Sequence, residues 1–166
     1  MLWTLMNTNL ESLLELAGKH ARIVLVEMGF PELLPSWLLI NADGTCHIVG
    51  TPWQDERDKE RQVKRLALRM RREHTVAYSF VCEAWSAWLD PGEYDPETGE
   101  IPEALRARNR PNRREVVTAL AADKTRAIYG TWEIQRDWEG KIVKLVPDDM
   151  SEITTSSSWM AELLMR

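Results

Sequence analysis

The chain has 166 residues, 44% of them hydrophobic, with a formal net charge of −5. That length is enough to bury one substantial core in a single domain spanning 1–166. The longest apolar runs fall short of the roughly 20 residues that cross a bilayer, and the acidic balance argues against a dedicated nucleic-acid binder.

Near the N-terminus, Thr8 and Glu11 have capping-box spacing, and Leu10, Leu13, Leu14, Ala17, Ala21, Val24 and Met28 follow on one helical face before Gly29 and Pro31. The pattern predicts a helix over 9–28. The β-branched run Ile23-Val24-Leu25-Val26 keeps a strand open for its second half. Residues 36–50 place apolar runs on both sides of Asn41-Ala42-Asp43-Gly44, a hairpin signal because Asp-Gly favours positive-φ turns. Thr51, Pro52 and Gln54 then read as N-cap, N1 and N3 of a second helix. Its apolar stripe is Val63, Leu66, Ala67 and Met70, with acids in the first turns and bases in the last.

Residues 76–83 alternate Val76, Tyr78, Phe80 and Cys82 against Ala77, Ser79, Val81 and Glu83, the period of an interior strand packed on the helix by its aromatic face. Residues 90–114 hold Pro91, Pro96, Pro102, Pro111, Gly92 and Gly99, and form a long charged loop with a short helical turn at 102–108. Strands follow at 114–122, 126–136 and 141–146, the last two joined through Asp137-Trp138-Glu139-Gly140. Residues 148–158 read as a linker, and Trp159, Met160, Leu163 and Leu164 as a short C-terminal helix. The order implies an α+β fold: a mainly antiparallel sheet, built from a hairpin, one strand and a meander, covered on one face by two longer helices.

The first residues lack the basic region, apolar run and cleavage site of a secretory signal. Cys46 and Cys82 have no C-x-x-C spacing and read as buried thiols without a disulfide. A cytoplasmic location is expected.

Glu83 ends the predicted interior strand, where apolar walls raise a carboxyl pKa and suit it to acid/base work, and Glu115 begins the next strand. With Arg113 or Arg114 controlling their charge, the two outline a hydrolase or transferase site on a phosphorylated substrate. The same residues make a structural Arg–Glu pair, which is the favoured reading because nucleophile, base and orienter are not found together. The three histidines, His20, His47 and His74, lie in different elements, and Cys46 and His47 point to opposite faces of a strand. Neither a metal nor another cofactor is expected. The acids Asp90, Glu93, Asp95, Glu97 and Glu100 lack the spacing of an EF-hand.

Basic residues gather on the second helix, at Arg61, Lys64, Arg65, Arg69, Arg71 and Arg72, and around the end of the long loop, at Arg106, Arg108, Arg110, Arg113 and Arg114. A single patch made from both would bind phosphate or nucleic acid. The favoured reading is a solvated helix face and a loop whose arginines neutralise its own acids. Eight tryptophans against two phenylalanines is the strongest bias in the composition. Trp37, Trp53 and Trp132 read as structural. Trp85, Trp88, Trp138 and Trp159 fall near a strand end, a loop, a turn and the tail, and are candidates for exposed contacts.

The pieces "SFVCEAW" and "RPNRREVV" resemble a family of uncharacterised bacterial and phage proteins in which a strand ends in Ser-Glu-Ala-Trp and a Pro-x-x-Arg-Glu segment enters another strand. Cys82 stands here in place of the serine, and the likeness covers about residues 76–146. It implies a shared sheet and carries no established activity. The expectation is a small cytoplasmic protein that binds another protein through the region from Trp85 to Arg114, with no membrane contact and with an accessory role in a phage or mobile element. The enzyme using Glu83 and Glu115, and nucleic-acid binding through the clustered arginines, are the alternatives.

Overall fold

A computed structural model describes residues 9–153 apart from 91, 94, 96, 99 and 100. The expected terminal helix with Trp159 lies outside these residues. The first helix, α1, spans Leu10–Arg22 and continues into a wider π-helical turn over Ile23–Glu27. Its cap is Asn9, whose Oδ1 accepts from Ser12 N at 2.7 Å, a short polar side chain satisfying one of the donors left open at a helix start. The β-branched run that left a strand open is thus helical. The π turn changes the angular step of the apolar stripe, so Val24 is only partly buried and Met28 is 62% exposed.

β1 (Ser36–Asn41) and β2 (Cys46–Gly50) form the expected hairpin. Gly44 has φ 82°, and Asp43 Oδ1 accepts from Thr45 N at 2.9 Å. α2 spans Glu56–Arg72 and starts later than the sequence implies. Thr51 is not its cap, because its Oγ1 accepts the indole N–H of the fully buried Trp37 at 2.8 Å. Asp55 takes the capping position and accepts from Asp58 N at 2.7 Å. After α2, His74 has φ 53°, a left-handed conformation that glycine usually supplies at a helix end and that costs other residues about 1 kcal/mol.

β3 (Thr75–Ser86), β4 (Arg114–Asp123), β5 (Ala127–Arg136) and β6 (Ile142–Ile153) complete one sheet in the order β2-β1-β3-β4-β5-β6. All neighbours are antiparallel, which with the two helices makes the class α+β. β3 extends through Trp85, beyond the expected strand. Residues 148–153, expected as linker, continue β6 and pair with β5.

The two helices pack on opposite faces, a correction to the expected cover on one side. Leu10, Leu13, Leu14, Ala17 and Ala21 of α1 join Leu38, Ala77, Val81, Val117, Ala119 and Ile134 in one core. Leu66 and Met70 of α2 join Trp37, Leu39, Tyr78, Phe80 and Leu120 in the other. The reason is visible in β3, which carries buried apolar residues on both faces, Tyr78 and Phe80 on one and Ala77 and Val81 on the other, so each needs a cover. The approach of α1 is close: a methyl group on Gly18 would stand 2.5 Å from Trp132 Cζ2.

Of the two cysteines, Cys46 faces solvent on the edge strand β2, against the expectation of a buried thiol, and Cys82 is partly buried. Both are free. No helix among the described residues is long and apolar enough to cross a membrane.

Candidate functional site

Antiparallel pairing sets the geometry of the predicted site. β3 ends at Ser86, β4 begins at Arg114, β5 ends at Arg136 and β6 begins at Ile142, so four strand ends and the 87–113 connection meet at one end of the sheet. Thr75, Asp123 and Ala127 mark the opposite end. β3 has 12 residues, which at about 3.3 Å each places its two ends roughly 35 Å apart.

At the first end Glu83 and Glu115 lie on one face, with Glu83 opposite Val117 and Glu115 opposite Trp85. They do different work. Glu83 Oε1 accepts from Leu33 N at 2.7 Å, which ties the connection between α1 and β1 to the sheet. Burial pushes the Glu83 carboxyl above its ordinary range, the hydrogen bond from Leu33 opposes this, and the nearby Glu115 adds to it. Glu115 is held by both arms of Arg136, with Nε donating to Oε2 at 2.8 Å and Nη2 to Oε1 at 2.7 Å. That guanidinium draws the Glu115 carboxyl below its usual range. The expected pairing of these carboxylates with Arg113 or Arg114 does not form: Glu115 is paired with Arg136, and Glu83 has a backbone amide as its partner.

The arginines of the connection have their own partners. Glu103, the first residue of the first of two short 3₁₀ turns over 103–105 and 107–109, takes both Arg106, at 2.9 Å, and Arg108. Arg110 Nη1 donates to Glu93 Oε1 at 3.0 Å, and this pair is mostly shielded from water. Arg113 Nη1 donates to the Arg108 carbonyl at 2.6 Å while its guanidinium lies 4.9 Å from the Trp85 ring centroid. Arg114 reaches Glu133 at 3.0 Å and Asp148 at 2.9 Å, and lies 5.8 Å from the Trp88 ring centroid. Arg106, Arg108 and Arg110 thus neutralise acids of their own loop, whereas Arg113 meets no acid and Arg114 pairs with acids of β5 and β6.

Beside these ion pairs, this end leaves large apolar side chains open to solvent. Trp85 is 47% exposed, Trp88 72% and Trp138 91%, and Met28, Phe30 and Leu34 are exposed in the connection that Glu83 anchors. Trp138 was recognisable as an exposed residue but not as the third member of this group. The β5–β6 turn repeats two backbone bonds of the β1–β2 turn: Asp137 N donates to Lys141 O at 2.9 Å as Asn41 N does to Thr45 O at 3.0 Å, and Gly140 N donates to Asp137 O at 3.0 Å as Gly44 N does to Asn41 O at 2.9 Å. Ala42 occupies in one turn the place of Trp138 in the other, so the turn itself has no need of an indole.

Arg69, Arg71 and Arg72 of the last turn of α2 do not join the loop arginines, because they precede Thr75, at the far end of β3 from Arg114. Among the described residues, no group of three or more His, Cys, Asp and Glu side chains could hold a metal ion. No protein-family model, curated protein or solved structure matches the chain.

Proposed function

We propose that this chain is a protein-binding protein whose recognition surface is the end of the sheet bearing Trp85, Trp88 and Trp138. The observation that carries the reading is Trp138: its hairpin is closed by Asp137 and Gly140, and its indole is 91% exposed, an arrangement that serves contact with another molecule better than it serves the fold. Arg113 and Arg114 lie over the faces of Trp85 and Trp88, which limits the rotamers those indoles lose on binding. Loop arginines Arg106, Arg108 and Arg110 shape the connection through their ion pairs. An accessory role in a phage or mobile element, and a cytoplasmic setting, rest on the family resemblance and composition alone.

The enzyme alternative draws on the opposite displacements of the Glu83 and Glu115 pKa values, a pattern acid/base pairs use. It is the weaker reading because both carboxylates already hold structural partners.

The test is capture of a partner from the native cellular context, followed by reconstitution with that partner purified. Trp88→Ala combined with Trp138→Ala is expected to weaken the reconstituted complex at least 100-fold, with each indole contributing about 2 kcal/mol as an interface anchor, and to leave the thermal midpoint unchanged. Undiminished affinity in the folded double variant rejects this surface.

A further inference from the structure

The opposite end of the sheet carries a cleft with a volume of about 350 Å³, lined by Ala42, Met70, Arg71, His74, Thr75, Val76 and Lys124. We propose that this cleft binds a small phosphate monoester, with Arg71, His74 and Lys124 around the phosphoryl group and Met70, Val76 and Ala42 against the organic part.

The charge of the cleft is one-sided. Arg71 comes from the last turn of α2, His74 from the residue that leads into β3, and Lys124 from the turn between β4 and β5, so three segments bring basic side chains to the lining of the cleft. No carboxylate lines the cleft among the described residues. The neighbouring acids are engaged elsewhere: Glu73 with Arg69 and Arg72, and Asp123 with Thr125 and the Arg126 amide. Neither Arg71 nor Lys124 has an ion-pair partner among the described residues, in contrast to Arg106, Arg108, Arg110 and Arg114.

The backbone around the site is fixed. Ala42 N donates to the His74 carbonyl at 2.9 Å, and the buried Thr75 hydroxyl donates to Asn41 Oδ1 at 2.9 Å. His74 is held at φ 53°, so an imidazole occupies a helix-terminating position that glycine fills with less strain. A planar guanidinium, an ammonium and an imidazole suit a compact dianion, while the small volume and the apolar floor suit a metabolite-sized ester better than a polymer.

The cleft lies at the other end of β3 from the tryptophans, so its failure and that of the protein-binding surface are separable. Phenyl phosphate, inorganic phosphate and benzoate are titrated into the isotope-labelled full chain and followed by amide chemical shifts. Saturable shifts at Ala42, Arg71, His74, Thr75, Val76 and Lys124 are expected, with phenyl phosphate binding more tightly than inorganic phosphate or benzoate. Arg71→Gln with Lys124→Gln should weaken phenyl phosphate at least tenfold without lowering the thermal midpoint. His74→Gly should weaken it several-fold while leaving the midpoint equal or higher, an outcome a purely structural histidine would not give. Shifts that do not saturate, equal affinity for benzoate, or undiminished affinity in the Arg71 and Lys124 double variant would overturn the assignment. Tighter binding of a single-stranded oligonucleotide with steep salt dependence would overturn it in favour of nucleic acid.

Discussion

Arginines crowd both ends of β3, yet the two ends present opposite chemistry to solvent. Around Ser86 and Arg114 each cation from Arg106 to Arg114 meets an acid or a carbonyl, and three exposed indoles stand beside these pairs. Around Thr75, Arg71 and Lys124 face a cleft that no described carboxylate enters. A count of basic residues would favour the first end as the anion site. The positions of Glu93, Glu103, Glu133 and Asp148 reverse that judgement, because an arginine already paired offers a new anion little beyond exchange of partners.

If these are two independent surfaces on one rigid sheet, damage to the core between them should lower stability without favouring either. The largest such effect is expected from Gly18→Ala. Its methyl group would meet the Trp132 ring at 2.5 Å, and overpacking outweighs the gain in helix propensity, for a net loss of about 1–2 kcal/mol measured by denaturant unfolding. Thr51→Val keeps the shape but leaves the buried Trp37 indole N–H without its acceptor, at a cost of about 1–2 kcal/mol. Neither variant should alter the ratio of partner binding to phosphate binding once both are corrected for the folded fraction.

Smaller effects sharpen the description of the tryptophan end. Arg136→Gln removes both bonds to Glu115 and should cost at most about 1 kcal/mol, since the pair is partly exposed. The folded Glu115 carboxyl lies below its ordinary value of 4.5, so its contribution is present above that pH and is lost as pH falls through the folded value. Glu83 has the opposite sign. Its folded carboxyl lies above 4.5, so its contribution is complete below that pH and is lost as pH rises through the folded value. Glu83→Gln keeps an acceptor for Leu33 N–H and removes a partly buried charge, so at pH 7 it should match or exceed the native stability by less than about 1 kcal/mol. A pH series of unfolding midpoints reads both signs, and collapse of the fold in Glu83→Gln would contradict the structural role given to that residue.

Much of the sheet was legible because its signals are local. Asn41 to Gly44 and Asp137 to Gly140 specify turns through side-chain acceptors and positive φ, and the flanking runs alternate as strands do. The second layer was less legible. Tyr78 and Phe80 point to one helix and Ala77 and Val81 to the other, and an apolar alternation in which both sets are hydrophobic does not say how many helices it needs. The start of α2 was misplaced because Thr51 has the chemistry of a cap, and only the tertiary position of Trp37 shows that its oxygen is taken. Glu83 and Glu115 were recognised as neighbours, but their partners, Leu33 and Arg136, come from segments 50 and 21 residues away, a distance that local patterns do not cover. The cleft at Arg71, His74 and Lys124 was hidden for the same reason.

The most direct test places the two double variants side by side. Binding of the purified protein partner is measured for Trp88→Ala with Trp138→Ala and for Arg71→Gln with Lys124→Gln, both as folded proteins whose thermal midpoint matches that of the unsubstituted chain. The first is expected to lose the partner and the second to retain it within about twofold, a difference of roughly 0.4 kcal/mol. Retention by the tryptophan variant, or loss in the variant of the cleft alone, would contradict the assignment of partner recognition to the tryptophan end of the sheet.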